Sequence, residues 1–302
     1  DFIPGPNTPV GGLEVWNFSV DSSASGDGAG LFPSVTTEGA LGAVEASADI
    51  YTSLPMPPGP LPPAPFASNN TGSLDGDGLF PFGAPGYGLI EALVGFSGDN
   101  LDAVDVDTTV ADISGAPVFF SLDSLFADPL GPGNTGSALT NGFVGGDVLV
   151  SLGGAIAPYA PAFVLGLDVF GTDSDDLDAL AMNDVNGDLV YTPGIDALFF
   201  SVRRGSAVIG SPDSIFGAPI EEGDILVDPS FGGGASPFPG IFIAAEWLGL
   251  GTVRSGTVGF APFGDDLNAL DITRIPEPSS VILMMIGLVA LTGNRRRHSP
   301  SS

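Results

Sequence analysis

Asp184-Val185-Asn186-Gly187-Asp188 sets side-chain oxygens at positions one, three and five of a short turn, with the Val190 carbonyl at seven and Thr192 at nine. Hard oxygen donors at alternate positions are how a loop wraps calcium, and Asp196 is the nearest acid to complete the set. The same residues read equally as an Asp- and Asn-rich hairpin turn whose side chains bond their own backbone. Asp75-Gly76-Asp77-Gly78 is a poorer version. The acids Asp175-Asp176, Asp265-Asp266 and the single Asp99 recur beside leucines, which suits capping of turns or one cation per copy. Paired carboxylates are the minimum for glycan hydrolysis, and Glu246 beside Trp247 has the ingredients of a raised-pKa acid near a sugar platform. Glu91 occupies a similar apolar run, so the pattern reads as architecture, and the expectation is a protein that is not an enzyme.

Composition removes most other chemistry. The chain of 302 residues has 36 acids against 7 arginines, no Lys, no Cys and one His, for a formal net charge of −29. Without Cys there is neither a disulfide framework nor a thiolate nucleophile, and the lone His298 lies in the tail, away from any triad or zinc site in the body. The acidic balance repels nucleic acid and anionic lipid and favours cationic partners. Phe231-Gly232-Gly233-Gly234 lacks the Lys of a phosphate loop. The Asp184 turn is similar to the opening of EF-hand and dockerin calcium loops, with Leu189 where Gly is usual and Ile195 at position twelve. Calcium is therefore the expected ligand, if any.

Positioning these groups falls to short elements. With 45 Gly, 28 Pro and 43% hydrophobic residues, apolar runs too short for three helical turns alternate with turn-forming clusters, which predicts an all-β fold. The Pro-rich stretch 54–70 reads as an extended loop with polyproline character.

Three sequence blocks recur in one order. The first is Trp16-Asn17-Phe18-Ser19-Val20-Asp21, Val118-Phe119-Phe120-Ser121-Leu122-Asp123 and Leu198-Phe199-Phe200-Ser201-Val202-Arg203. The second is Ala48-Asp49-Ile50-Tyr51-Thr52-Ser53, Gly146-Asp147-Val148-Leu149-Val150-Ser151 and Gly223-Asp224-Ile225-Leu226-Val227-Asp228. The third begins at Gly98-Asp99-Asn100-Leu101, Ser174-Asp175-Asp176-Leu177 and Gly264-Asp265-Asp266-Leu267, and suits a capped helical turn as well as a strand. Further apolar runs at 88–96, 162–170 and 241–250 bring each repeat to about four strands. The expected division is 1–107 with the insertion 54–70, then 108–196, then 197–274, then a tail at 275–302. The repeats are expected to form propeller-like blades or stacked sheets.

In the tail, Pro276-Glu277-Pro278 precedes an apolar run at 281–292 and the basic cluster Arg295-Arg296-Arg297. A span this short reaches roughly 20 Å as a helix, less than the bilayer core, and the arginines place everything before it outside the cytoplasm. These features closely resemble the PEP-CTERM sorting signal of bacterial exported proteins, and the body resembles repeats of uncharacterised exported proteins from Planctomycetes-type bacteria. The resemblance implies recognition of Pro276, Glu277 and Pro278 by an exosortase, a short C-terminal hydrophobic helix held transiently in the inner membrane, and a membrane stop at Arg295, Arg296 and Arg297. It also implies removal of the tail and delivery to the cell surface or matrix, where extracellular polysaccharide is an expected partner. Asp1-Phe2-Ile3-Pro4 has no signal-peptide character, and a processed or truncated start is the expectation.

Overall fold

The computed structural model describes residues 17–19, 34–35, 37, 48–53, 70–76, 86, 88–89, 99–106, 116–123, 136–233, 236–248, 250–256, 264–268 and 270. Among them strands dominate, in three antiparallel sheets. The first joins β1 (Asn17–Phe18), β2 (Ile50–Ser53) and β3 (Asn70–Leu74). The second is a meander of β4 (Leu101–Val106), β5 (Val118–Leu122), β6 (Val148–Leu152) and β7 (Ala155–Ala160). The third repeats that meander with β8 (Leu177–Asn183), β9 (Ala197–Val202), β10 (Ile225–Val227) and β11 (Gly240–Ile243). Helices are short: α1 (Ser137–Asn141), α2 (Ala162–Leu165) and 3-10 turns at Pro229–Gly232 and Ala245–Leu248.

Eight of the nine recurring blocks supply strands; the third copy's third block, at 264–268, does not. First and second blocks supply β1 and β2, β5 and β6, and β9 and β10, while the third block supplies β4 and β8 as strands, not helical turns. Each four-stranded sheet therefore opens with the third block of the preceding sequence copy. The register agrees in detail. One extra residue sits on β4 between Leu101 and Val104 opposite β5, and one on β8 between Leu177 and Ala179 opposite β9. A second irregularity falls at the start of the second block in all three sheets, at Ile50/Tyr51, Val148/Leu149 and Ile225/Leu226.

The fourth strand corrects the sequence reading. The run 162–170 is not a strand: Gly166, at φ +79°, ends α2 after one turn. The fourth strand of the second sheet is β7, which reverses from β6 through Gly153-Gly154, both at positive φ, as a two-residue hairpin demands. Its sequence AIAPYA is half exposed and carries Pro158 at the sheet edge, so it shows little apolar alternation. In the third sheet only Gly240–Ile243 of the apolar run is strand, and Ala245–Leu248 is a 3-10 turn. In the first sheet the partner is Asn70–Leu74, whereas most of the run 88–96 lies outside the described residues.

The second sheet is buried on both faces, which is why β5 is apolar without alternation. Val118, Phe120, Leu122 and Leu149 face the first sheet with Ile50 and Leu74. Phe119, Val148 and Val150 face the third with Leu180, Phe200 and Leu226. The bulge in β4 lets Leu101 and Val104, three apart, share one face. Asp105 Oδ2 accepts the Met182 amide at 2.7 Å, tying β4 to β8 across the layers.

Candidate functional site

One aspartate opens the second block in each copy, and its position follows from the chain around it. Asp49 Oδ1 accepts the Gly76 amide at 3.0 Å, Asp147 Oδ1 the Ala162 amide at 2.8 Å, and Asp224 Oδ1 the Ala245 amide at 2.8 Å. Each acceptor bonds the amide two residues beyond the strand that pairs with its own second-block strand. Asp147 and Asp224 also take the amide three residues before them, from Val144 and Glu221. A small residue precedes the aspartate each time, Ala48, Gly146 and Gly223, and the space is tight: a Cβ on Gly146 would lie 3.0 Å from Ala162 Cβ, and one on Gly223 3.0 Å from Ala245 Cβ. Sequence reasoning aligned these aspartates without giving them a role; their invariant place after a small residue was the available signal.

The first acids of the third block also bond backbone. Asp99 accepts the Ser137 amide and hydroxyl, Asp175 the amides of Val208 and Asp168 at 2.7 Å each, and Asp265 the Gly251 amide at 2.7 Å. Satisfying N–H groups in this way holds the loops between sheets at a fixed spacing.

The acids on either side of the block's leucine, Asp176 and Asp266 before it and Asp102 and Asp178 after it, behave differently. Asp102 lies against Asp176, and Asp178 against Asp266, carboxyl beside carboxyl. Oδ2 of Asp102, Oδ1 of Asp176, Oδ2 of Asp178 and Oδ1 of Asp266 are buried and reached by no donor. Two buried carboxyls side by side repel when both are ionised, and a proton on one of them removes the repulsion. Burial favours that proton, driving Asp102 and Asp176 well above the usual carboxylate range and Asp178 up to about 7; the charge of Asp178 adds to the shift of Asp102, that of Asp102 to Asp176 and that of Asp266 to Asp178. Arg203 opposes the shift, its Nη1 lying 3.3 Å from Asp123, 3.4 Å from Asp176 and 4.0 Å from Asp102. Arg204 lies 4.0 Å from Asp266 and donates to the Gly264 carbonyl at 3.0 Å.

Glu246 is paired with a cation. It sits on the 3-10 turn, where the Arg254 guanidinium holds it down at about 2. Arg254 bonds Glu246 Oε2 at 2.7 Å and the buried Asp224 through both nitrogens. Trp247 beside it is 86% exposed.

In the Asp184 turn, both carboxylate oxygens of Asp184, Asp188 and Asp196 accept hydrogen bonds from within the loop. Asp184 takes the Gly187 and Leu189 amides, Asp188 the Val190 amide and the Asn186 side chain, and Asp196 the Val185 and Thr192 amides. Leu189, where a calcium loop usually has Gly, takes positive φ, at 60°. Thr192 Oγ1 turns back to the Val190 carbonyl. Asp75 is buried and bridges to Gly86, while Asp77 and Glu91 lie outside the described residues. Among the described residues no group of three or more acid or His side chains is arranged to hold one metal ion.

Pro276, Glu277, Pro278, the apolar run and Arg295 to Arg297 also lie outside the described residues, and among those described no helix is long and apolar enough to cross a membrane. Residues 274–297 match the PEP-CTERM protein-sorting motif. The chain therefore carries the sorting signal of an exported protein handled by an exosortase-type enzyme. No curated protein and no solved structure matches it.

Proposed function

We propose that this is a structural or interaction protein of the cell surface or extracellular matrix, held in the inner membrane through residues 281–292 until an exosortase processes it after recognition of Pro276, Glu277 and Pro278. The sorting motif at 274–297 carries the reading. The body supports it: its buried acids fix loops and bridge sheets, as a scaffold requires, and the one acid beside an exposed tryptophan is neutralised by Arg254. The three sheets are copies of one unit, on the shared register shift and the shared aspartate bond, and they stack face to face or as propeller-like blades. Calcium adds stability by offsetting a net charge of −29. Expression with and without an exosortase, followed by membrane fractionation, tests the sorting; replacing Pro276, Glu277 and Pro278 together by Ala is expected to trap the membrane form.

A second reading, a calcium-dependent carbohydrate-binding or adhesive module, draws on an exposed aromatic group: Trp247, and Phe231 edge-on to Phe242 at 5.9 Å. Polysaccharide pull-down with and without chelator separates the two.

A further inference from the structure

The second and third sheets carry the same loop at the same end, with one difference. Leu167 donates to the Ala162 carbonyl as Leu250 does to Ala245, and Asp175 accepts the Asp168 amide as Asp265 accepts that of Gly251. Asp147 and Asp224 therefore stand at matching places, each with one backbone N–H on each carboxylate oxygen. Between Gly251 and Asp265 the chain runs fourteen positions, and this longer loop brings Arg254 onto Asp224, Nη2 to Oδ1 at 2.7 Å and Nη1 to Oδ2 at 3.0 Å. Between Asp168 and Asp175 it runs seven, with no basic residue. A cavity of about 600 Å³ lies there instead, lined by Asp147, Asp168, Phe163, Phe170 and Gly171.

We propose that this cavity is a receptor for a guanidinium group, presented as an arginine side chain by a basic polypeptide partner. The Asp147 carboxylate offers the same two lone pairs that Asp224 offers to Arg254, a forked acceptor that matches a planar guanidinium better than the point charge of an ammonium. Asp168 adds a second negative group, and Phe163 and Phe170, 76% and 59% exposed, supply aromatic surface at the rim. Phe170 is steadied by stacking on Phe238 at 5.4 Å. Burial raises both Asp147 and Asp168, and for Asp147 the charge of Asp168 adds to it, so a bound cation relieves an existing repulsion. The site goes beyond the exported-scaffold reading and stands whether or not the tail is processed.

Calorimetric titration of the full chain with N-acetyl-arginine amide, and with the neutral isostere N-acetyl-citrulline amide, tests it. Saturable one-site binding of the arginine probe alone is expected, weakened roughly tenfold by Phe163→Ala and by Asp168→Asn. Phe163 is too exposed for its truncation to unfold the chain, so that variant decides even if the other misfolds. A further variant, Arg254→Ala, frees Asp224 and should raise the stoichiometry from one to two. Equal response to the two probes, no saturable heat, or unchanged affinity in Phe163→Ala overturns the assignment.

Discussion

Arg254 closes on Asp224 with both terminal guanidinium nitrogens, at 2.7 and 3.0 Å, while Asp224 also receives the amides of Glu221 and Ala245. Asp224 is fully buried, so its charge rests on these four donors. Arg254→Ala leaves that carboxylate without its counterion and is expected to cost about 3 kcal/mol, and Arg254→Lys a substantial part of it, because an ammonium cannot fork. Urea melts of the two variants check the ranking.

The carboxyl pairs set the pH dependence. Asp178, held at about 7 by burial and then by Asp266, binds a proton in the folded chain that the unfolded chain has already lost above pH ~4. Its contribution is complete below the unfolded value and disappears as pH rises through about 7; Asp102 and Asp176 act in the same direction. Melting temperature should therefore fall between pH ~5 and ~8, and Asp178→Asn should flatten that slope and stabilise the chain at pH ~8 by up to a few kcal/mol. Asn already stands at the matching place of the third copy, at 268. A slope unchanged in the variant would count against the proton on Asp178.

Buried and exposed acids should separate sharply on substitution. Asp175→Ala strands the amides of Val208 and Asp168 inside the protein and is expected to cost about 2 to 4 kcal/mol, whereas Asp184→Ala in the exposed turn should cost about 1 kcal/mol or less. Chemical denaturation of the two single variants measures the difference.

Sequence made some of this legible and hid the rest for physical reasons. The first two blocks showed because β5, β6, β9 and β10 bury residues on both faces and are apolar but for one serine in each of the first three. The third block left helix and strand open because its bulge places Leu101 and Val104 on one face at helical spacing. Strand β7 escaped because an edge strand with exposed residues has no apolar period, and 162–170 misled because an apolar run ended by Gly166 packs as a single turn. Acid recurrence was visible as a structural motif, but which acids meet each other is set by long-range packing: Asp102 and Asp176 are 74 positions apart.

Calcium should stabilise the full chain more than sodium chloride at matched ionic strength, by about 2.7 kcal/mol at free ion ~100 times its dissociation constant if only the folded state binds it. Coincident melts with calcium, with chelator and with matched salt would remove calcium from the proposal and leave the acids as backbone acceptors.

Mass spectrometry of the protein recovered outside a host that expresses an exosortase tests the sorting account most directly. The account predicts mature chains that lack the Arg295-Arg296-Arg297 peptide, with the Pro276→Ala, Glu277→Ala, Pro278→Ala variant retaining it in the membrane fraction. Recovery of secreted chains with that arginine peptide intact would contradict it.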